Sequence, residues 1–164
     1  EIGYTLFNYQ HNLLGEKDSI VVKPQHSTVS QFCTELTGWT QEKLDTQGVT
    51  FQEACKRLTT ELYSEHKCWA SFGEYDRAMF EKMCKVYGVN YPFSPQHLNI
   101  KAMSMAMLGK RMGVGKTITK LGLQFEGTQH NGMWDAYNAA RILQHLTAQI
   151  RGNNDKKGWT IKSK

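Results

Sequence analysis

Two short stretches of this sequence hold side chains whose types and spacing could do chemistry. In Glu126-Gly127-Thr128-Gln129-His130-Asn131-Gly132-Met133-Trp134-Asp135, a histidine and an aspartate stand five residues apart. On a continuous helix that spacing sets them about 140° apart around the axis, so they converge only if His130 lies in a loop and Asp135 in the first turns of a helix. Gly127 and Gly132 make such a loop easy to build. An acid near a helix N-terminus is also at ease with the macrodipole, so Asp135 taken alone has an ordinary structural explanation. In Ala70-Ser71-Phe72-Gly73-Glu74-Tyr75-Asp76-Arg77, a buried strand would deliver Asp76 just beyond its C-terminal end, the edge where ligands gather in open α/β sheets. Asp76 alone also fits as N-cap or first-turn acid of the following helix. Together, two carboxylates and an imidazole on neighbouring strand ends could hold a divalent ion and activate water.

The elements that must position these groups follow from local pattern. Ile2 to Phe7 alternates as a strand, Asn8 to Gly15 reads as a turn, and Ser19 to Lys23 as the hairpin partner. Ser30 caps a short helix through Leu36 that stops at Gly38, and Thr50 caps a longer one, with Glu53 completing a capping box. Phe51, Ala54, Cys55, Leu58 and Leu62 recur at helical spacing. Cys68 to Phe72 reads as a buried strand that enters, through Gly73, a helix from about Tyr75 to Tyr87 with the stripe Met79, Phe80, Met83 and Val86. Gly88 ends that helix, Pro92 and Pro95 keep the chain extended, and His97 to Ala102 is a further strand. Helices near Met103–Leu108 and Val114–Leu121 precede a long one from about Gly132 to Ile150. The order predicts a mixed sheet covered by helices in a single domain, residues 1–150, followed by a basic polar tail, residues 151–164, with Gly152-Asn153-Asn154 at the boundary.

A hydrophobic content of 40% and a charged content of 21% suit a globular domain of this length. No apolar run approaches the roughly 20 residues of a membrane helix, and the first residues carry no secretion-like pattern. Cys33, Cys55, Cys68 and Cys84 form no C-x-x-C pair, which argues against zinc and for buried reduced thiols in a cytoplasmic protein. Residues 1–100 carry a net charge of −3 and residues 101–164 a net charge of +8. That asymmetry points to a polyanionic partner, nucleic acid before membrane, with a solvated basic face as the alternative.

These segments, in this order, resemble the DEDDh exonuclease family, and in particular the subfamily of the histone-mRNA 3′ exonuclease and its bacterial relatives. The resemblance runs through Phe32–Gly38, Phe72–Arg77, Tyr91-Pro92-Phe93, Leu121-Gly122-Leu123 with Glu126-Gly127-Thr128, and His130–Leu143. It implies an RNase H-like α/β fold and removal of nucleoside monophosphates from single-stranded RNA or DNA 3′ ends, RNA favoured. It also implies two Mg²⁺ or Mn²⁺ ions, with Asp76 and Asp135 as metal carboxylates and His130 as general base. Imidazole suits that proton transfer because it titrates near working pH. Hard oxygen ligands favour magnesium or manganese over zinc.

The family begins with a central strand bearing an Asp-x-Glu pair, and Glu1-Ile2-Gly3 matches the start of its second strand instead. The first strand and its two carboxylates are therefore expected to precede residue 1; an Asp-x-Glu pair there supports the enzyme, and its absence supports the rival, a catalytically inactive nucleic-acid-binding module. Thr37-Gly38-Trp39 corresponds to a family segment that contacts the terminal nucleotides, with Trp39 where an aliphatic residue is usual. Trp39 either stacks on a 3′ base or makes a helix-end contact. Gly113-Val114-Gly115-Lys116-Thr117 fails as a P-loop because Lys110 stands where the first glycine is required. Lys110, Arg111, Lys116 and Lys120 fit a phosphate-backbone patch or a solvated helix face.

Overall fold

In a computed structural model that describes residues 1–156, strand β1 (Ile2–Asn8) pairs antiparallel with β2 (Leu13–Ile20), Ile2 opposite Ile20 and Asn8 opposite Leu13. A second, separate pair is parallel: β3 (Trp69–Ser71) lies beside β4 (His97–Asn99). The helices are α1 (Gln31–Thr37), α2 (Gln41–Gln47), α3 (Phe51–Thr60), α4 (Tyr75–Tyr87), α5 (Ile100–Leu108), α6 (Val114–Lys120) and α7 (Gly132–Lys156). This is the expected mixed α/β arrangement, with its sheet in two halves and no strand joining β1 to β3 among the described residues.

The hairpin and the segments flanking β3 and β4 meet in the same apolar clusters. One cluster centres on Ile100, Ile118, Ile142 and Leu146 and takes in Phe7 beside Phe72. The other centres on Ile20, Ala54 and Leu58 and takes in Ile2 and Tyr4 beside Phe80 and Phe93. Each fully buried aliphatic side chain here contributes about 1.5–3 kcal/mol by leaving water. The expected caps form: Ser30 accepts from Cys33 N–H, Thr50 from Glu53 N–H, and Gly38 and Gly88 close their helices in the left-handed conformation.

Several expectations change. The hairpin's second strand is Leu13–Ile20, not Ser19–Lys23, because the turn is confined to the residues between Asn8 and Leu13, where Asn8 Oδ1 accepts from His11 N–H and Asn12 turns the chain at φ 55°. Val21 and Lys23 bond instead to Val49. β4 stops at Asn99, whose side chain accepts from Ala102 N–H and starts α5 where an extended run to Ala102 was expected. Cys68 precedes β3 and is exposed, as are Cys33 and Val86, while Cys55 and Cys84 are buried. Helix α2, capped by Thr40, had no counterpart in the sequence pattern. Helix α7 continues past Ile150 to Lys156, through Gly152-Asn153-Asn154, and the rest of the expected tail lies outside the described residues.

Candidate active site

His130 stands in the loop before α7 with φ 63°, and Asp135 is in the helix's first turn. Asn131 caps α7, its side chain accepting from Trp134 N–H and its carbonyl from Asp135 N–H. The left-handed backbone at His130 turns the loop back, so that His130 lies near the Asp135 carboxylate and favours its ionised form, which is how a five-residue spacing converges. Two α7 side chains anchor the approach to this turn. Asn138, fully buried, donates to Glu126 O and Trp134 O and accepts from Glu126 N–H. Arg141 donates to Gln124 O and pairs with Glu126 at 3.2 Å. A Cβ at Gly127 would lie 2.0 Å from the Trp134 ring, so the turn takes only glycine there.

Glu1 closes the other side. Its Oε2 accepts from Gly132 N–H at 2.9 Å and from the Trp39 indole N–H at 3.3 Å. Burial opposes its ionisation, yet bonds from Gly132, Ser19 and Trp39, with the adjacent amino group, hold its carboxyl below the usual range. β1 meets α7 backbone to backbone, since a Cβ at Gly3 would fall 1.9 Å from Gly132 O. Trp39 is thereby tied to the His130 loop. Thr37 bonds to Cys33 O and receives Trp39 N–H, and Gly38, at φ 77°, turns the chain between them. Burial, with the charge of Glu1 adding to it, raises the Asp135 carboxyl above its ordinary value, against the opposing influence of His130.

Asp76 belongs to a second cluster, in the first turn of α4. Ser71 Oγ donates to Gly73 O at 2.8 Å and so accepts from His97 Nε2–H, also at 2.8 Å. The His97 ring lies 4.3 Å from the Trp69 ring, tilted by 40°, and burial depresses its basicity. Asn99 holds Glu74 at 2.7 Å. The turn that presents Asp76 is thus tied down by β4 at two points. Asp76 is exposed on one side, yet the protein around it displaces enough water to raise its carboxyl.

The Exonuclease family model, RNase_T, matches residues 4–143. The chain belongs to the DEDDh 3′-5′ exonuclease family. It is 32% identical over 157 residues to 3′-5′ exoribonuclease 1 of Rattus norvegicus, covering 87% of this chain and 45% of that protein. To the Homo sapiens 3′-5′ exoribonuclease 1 it is 32% identical over 137 residues, covering 76% and 39%. The chain therefore spans less than half the length of these relatives. Among solved structures, the nuclease domain of 3′hExo, a DEDDh family member bound to rAMP, superposes with a TM-score of 0.79 at 23% identity, over 90% of this chain and 79% of that one. At that identity the likeness is one of fold, and the fold is the RNase H-like one expected.

In this member of the family, then, His130, Asp135, Glu1 and Trp39 converge, while Asp76 stands in its own group with Ser71, Glu74 and His97. Among the described residues no three His, Cys, Asp or Glu side chains are grouped closely enough to hold a metal ion. The carboxylates present do not by themselves make the two-metal centre that the resemblance implies. Sequence reading missed Glu1 as a structural carboxylate and Asn138 and Arg141 as anchors of the loop. The signal for the anchors was there: an asparagine and an arginine inside the otherwise apolar run Ala136 to Leu143.

Proposed function

We propose that the chain is the nuclease part of a 3′-to-5′ exonuclease releasing nucleoside monophosphates from single-stranded 3′ ends, RNA in preference to DNA. The observation that carries this is the left-handed turn that sets His130 against Asp135 beside the Glu1-held Trp39. In this reading His130 takes the proton of the attacking water, Asp135 and Asp76 are ligands for divalent ions, and Thr37, Gly38 and Trp39 receive the terminal nucleotide. Two Mg²⁺ or Mn²⁺ ions would supply the charge that a scissile phosphate needs. They require more carboxylates than this chain groups together, and the free edges of β1 and β3 are where an Asp-x-Glu strand would bring them. RNA is supported by the relatives, which are named exoribonucleases. A cytoplasmic setting belongs to the same reading.

The test is magnesium-dependent release of nucleoside 5′-monophosphate from a 3′-labelled oligonucleotide by the intact protein, with RNA and DNA of one sequence compared. Internal cuts, or no release from either polymer, would overturn it. An inactive nucleic-acid-binding module of the same fold is the second reading, favoured by the incomplete ligand set. It expects oligonucleotide binding that is unchanged by EDTA, with no product.

A further inference from the structure

An open groove of 670 Å³ runs between α6 and the loop before His130, lined by Gly113, Gly115, Lys116, Thr119, Phe125 and Gln129. Its volume is within the roughly 300–1,000 Å³ typical of ligand clefts. We infer that this groove is a second nucleotide subsite, holding the single strand on the 5′ side of the scissile phosphate. The inference rests on the exonuclease reading above.

Three features select that occupant. The groove adjoins the loop that carries His130: Gln129, its wall residue, precedes His130 in the chain, and Trp39 is tied to the other end of that loop, at Gly132, through Glu1. Its charge suits a polyanion: Lys116 lines it, Lys110, Arg111 and Lys120 flank it in the chain, and no carboxylate lines it. The nearby acid, Glu126, is engaged by Arg141. Its walls are bare of side chains where a backbone must come close. A Cβ at Gly113 would meet nothing within 4 Å, and one at Gly115 only the Gln129 amide at 3.3 Å. Phe125 offers a half-buried ring, a surface on which any base can stack without sequence preference. Lys116 contributes a phosphate contact and Gln129 an amide, neither of which distinguishes bases.

The experiment uses the intact protein in EDTA and follows fluorescence anisotropy of 5′-labelled oligo(A) of two and eight nucleotides, with adenosine 5′-monophosphate as competitor. Lys116→Glu reverses the groove's charge, and Gly113→Leu fills it at a position with φ −83° and open space, so the fold is undisturbed. Both should weaken the eight-nucleotide strand about tenfold or more and leave the monophosphate's competition unchanged. Lys116→Glu should also lower the slope of log K against log salt by about 0.7. Equal weakening of monophosphate and eight-mer, or no weakening of the eight-mer in either variant, overturns the subsite. So does a wild-type affinity that does not rise from two to eight nucleotides. If a poly-glutamate peptide competes as well as the eight-mer, the groove belongs to an acidic protein instead. Failure of the exonuclease reading looks different: the eight-mer binds and the two variants weaken it, yet the intact protein releases no nucleoside monophosphate in magnesium.

Discussion

At φ 63°, His130 occupies backbone space that most side chains adopt only with strain, whereas asparagine tolerates it. His130→Ala in the intact protein should lower turnover by about 10²-fold or more with oligonucleotide binding retained. His130→Asn, which keeps the turn, should lose as much; recovery in the asparagine variant would mean that the backbone, not proton transfer, was what the alanine removed. Single-turnover rates beside anisotropy decide it. The neighbouring carboxylates make a pH prediction of opposite signs. Asp135 is raised above its unfolded value, so its ionised form costs stability at neutral pH, and the cost vanishes below the ordinary carboxylate range. Glu1 is lowered, so it contributes stability at neutral pH that is lost on acidification. In thermal melts at pH 7, Asp135→Asn should raise Tm and Glu1→Gln lower it, each by a few degrees at most, with both differences gone at about pH 3. Equal signs would refute the assignment of the two groups. Asp135 and His130 were legible in the sequence because their spacing and flanking glycines are local. Glu1 was not, because its partners stand 131 and 38 residues away.

Elements here are fixed as much by polar anchors as by apolar stripes. Asn138→Ala would strand Glu126 O and Glu126 N–H, costing about 2–3 kcal/mol. Denaturant unfolding should show that loss, and amide exchange should show the 124–130 segment opened while α3 is unaffected. Full protection of the loop in the variant would place its anchor elsewhere, at Arg141. The stripe Phe51, Ala54, Cys55 and Leu58 and the caps at Ser30, Thr50 and Gly88 could be read from sequence, since each depends on neighbours a few residues away. β2 could not be placed, because its start at Leu13 is set by the tight turn after Asn8, and its Lys17, opposite Thr5, lays its ammonium on rings supplied by α7. The end of β4 hid for a nearer reason: Asn99 serves as both the last strand residue and the cap of α5.

For the molecule as a whole, the divided sheet governs activity. The edges of β1 and β3 carry no partner among the described residues, and apolar side chains on these half-sheets meet solvent, Leu6 at 47% and Leu98 at 36% exposure. The 164-residue chain should therefore release no nucleoside monophosphate in magnesium and should tend to aggregate, whereas a chain extended N-terminally through an Asp-x-Glu strand should release it and stay in solution. Robust release by the shorter chain would sink this and turn attention to Glu1, Glu74 and Glu126 as substitute ligands. That the sheet is split came from the family resemblance, since periodicity shows the strands present and is silent on a strand that is not. The hairpin, by contrast, is fastened along its length to one helix. At its base Gly3 abuts Gly132 and Glu1 holds the Gly132 N–H; at its tip Gln144 and Thr147 hold Asn12, and Arg151 reaches Tyr9 and Gln10. Segments more than 130 residues apart in sequence are thus hydrogen-bonded to each other, and β1, β2 and α7 should open as one cooperative unit. Amides of β1 and α7 should exchange together and last, ahead of which β3, β4 and α4 open as a looser body. A protease or a truncation that frees the hairpin tip should then release both ends at once, so the order in which this molecule comes apart runs from its middle outward.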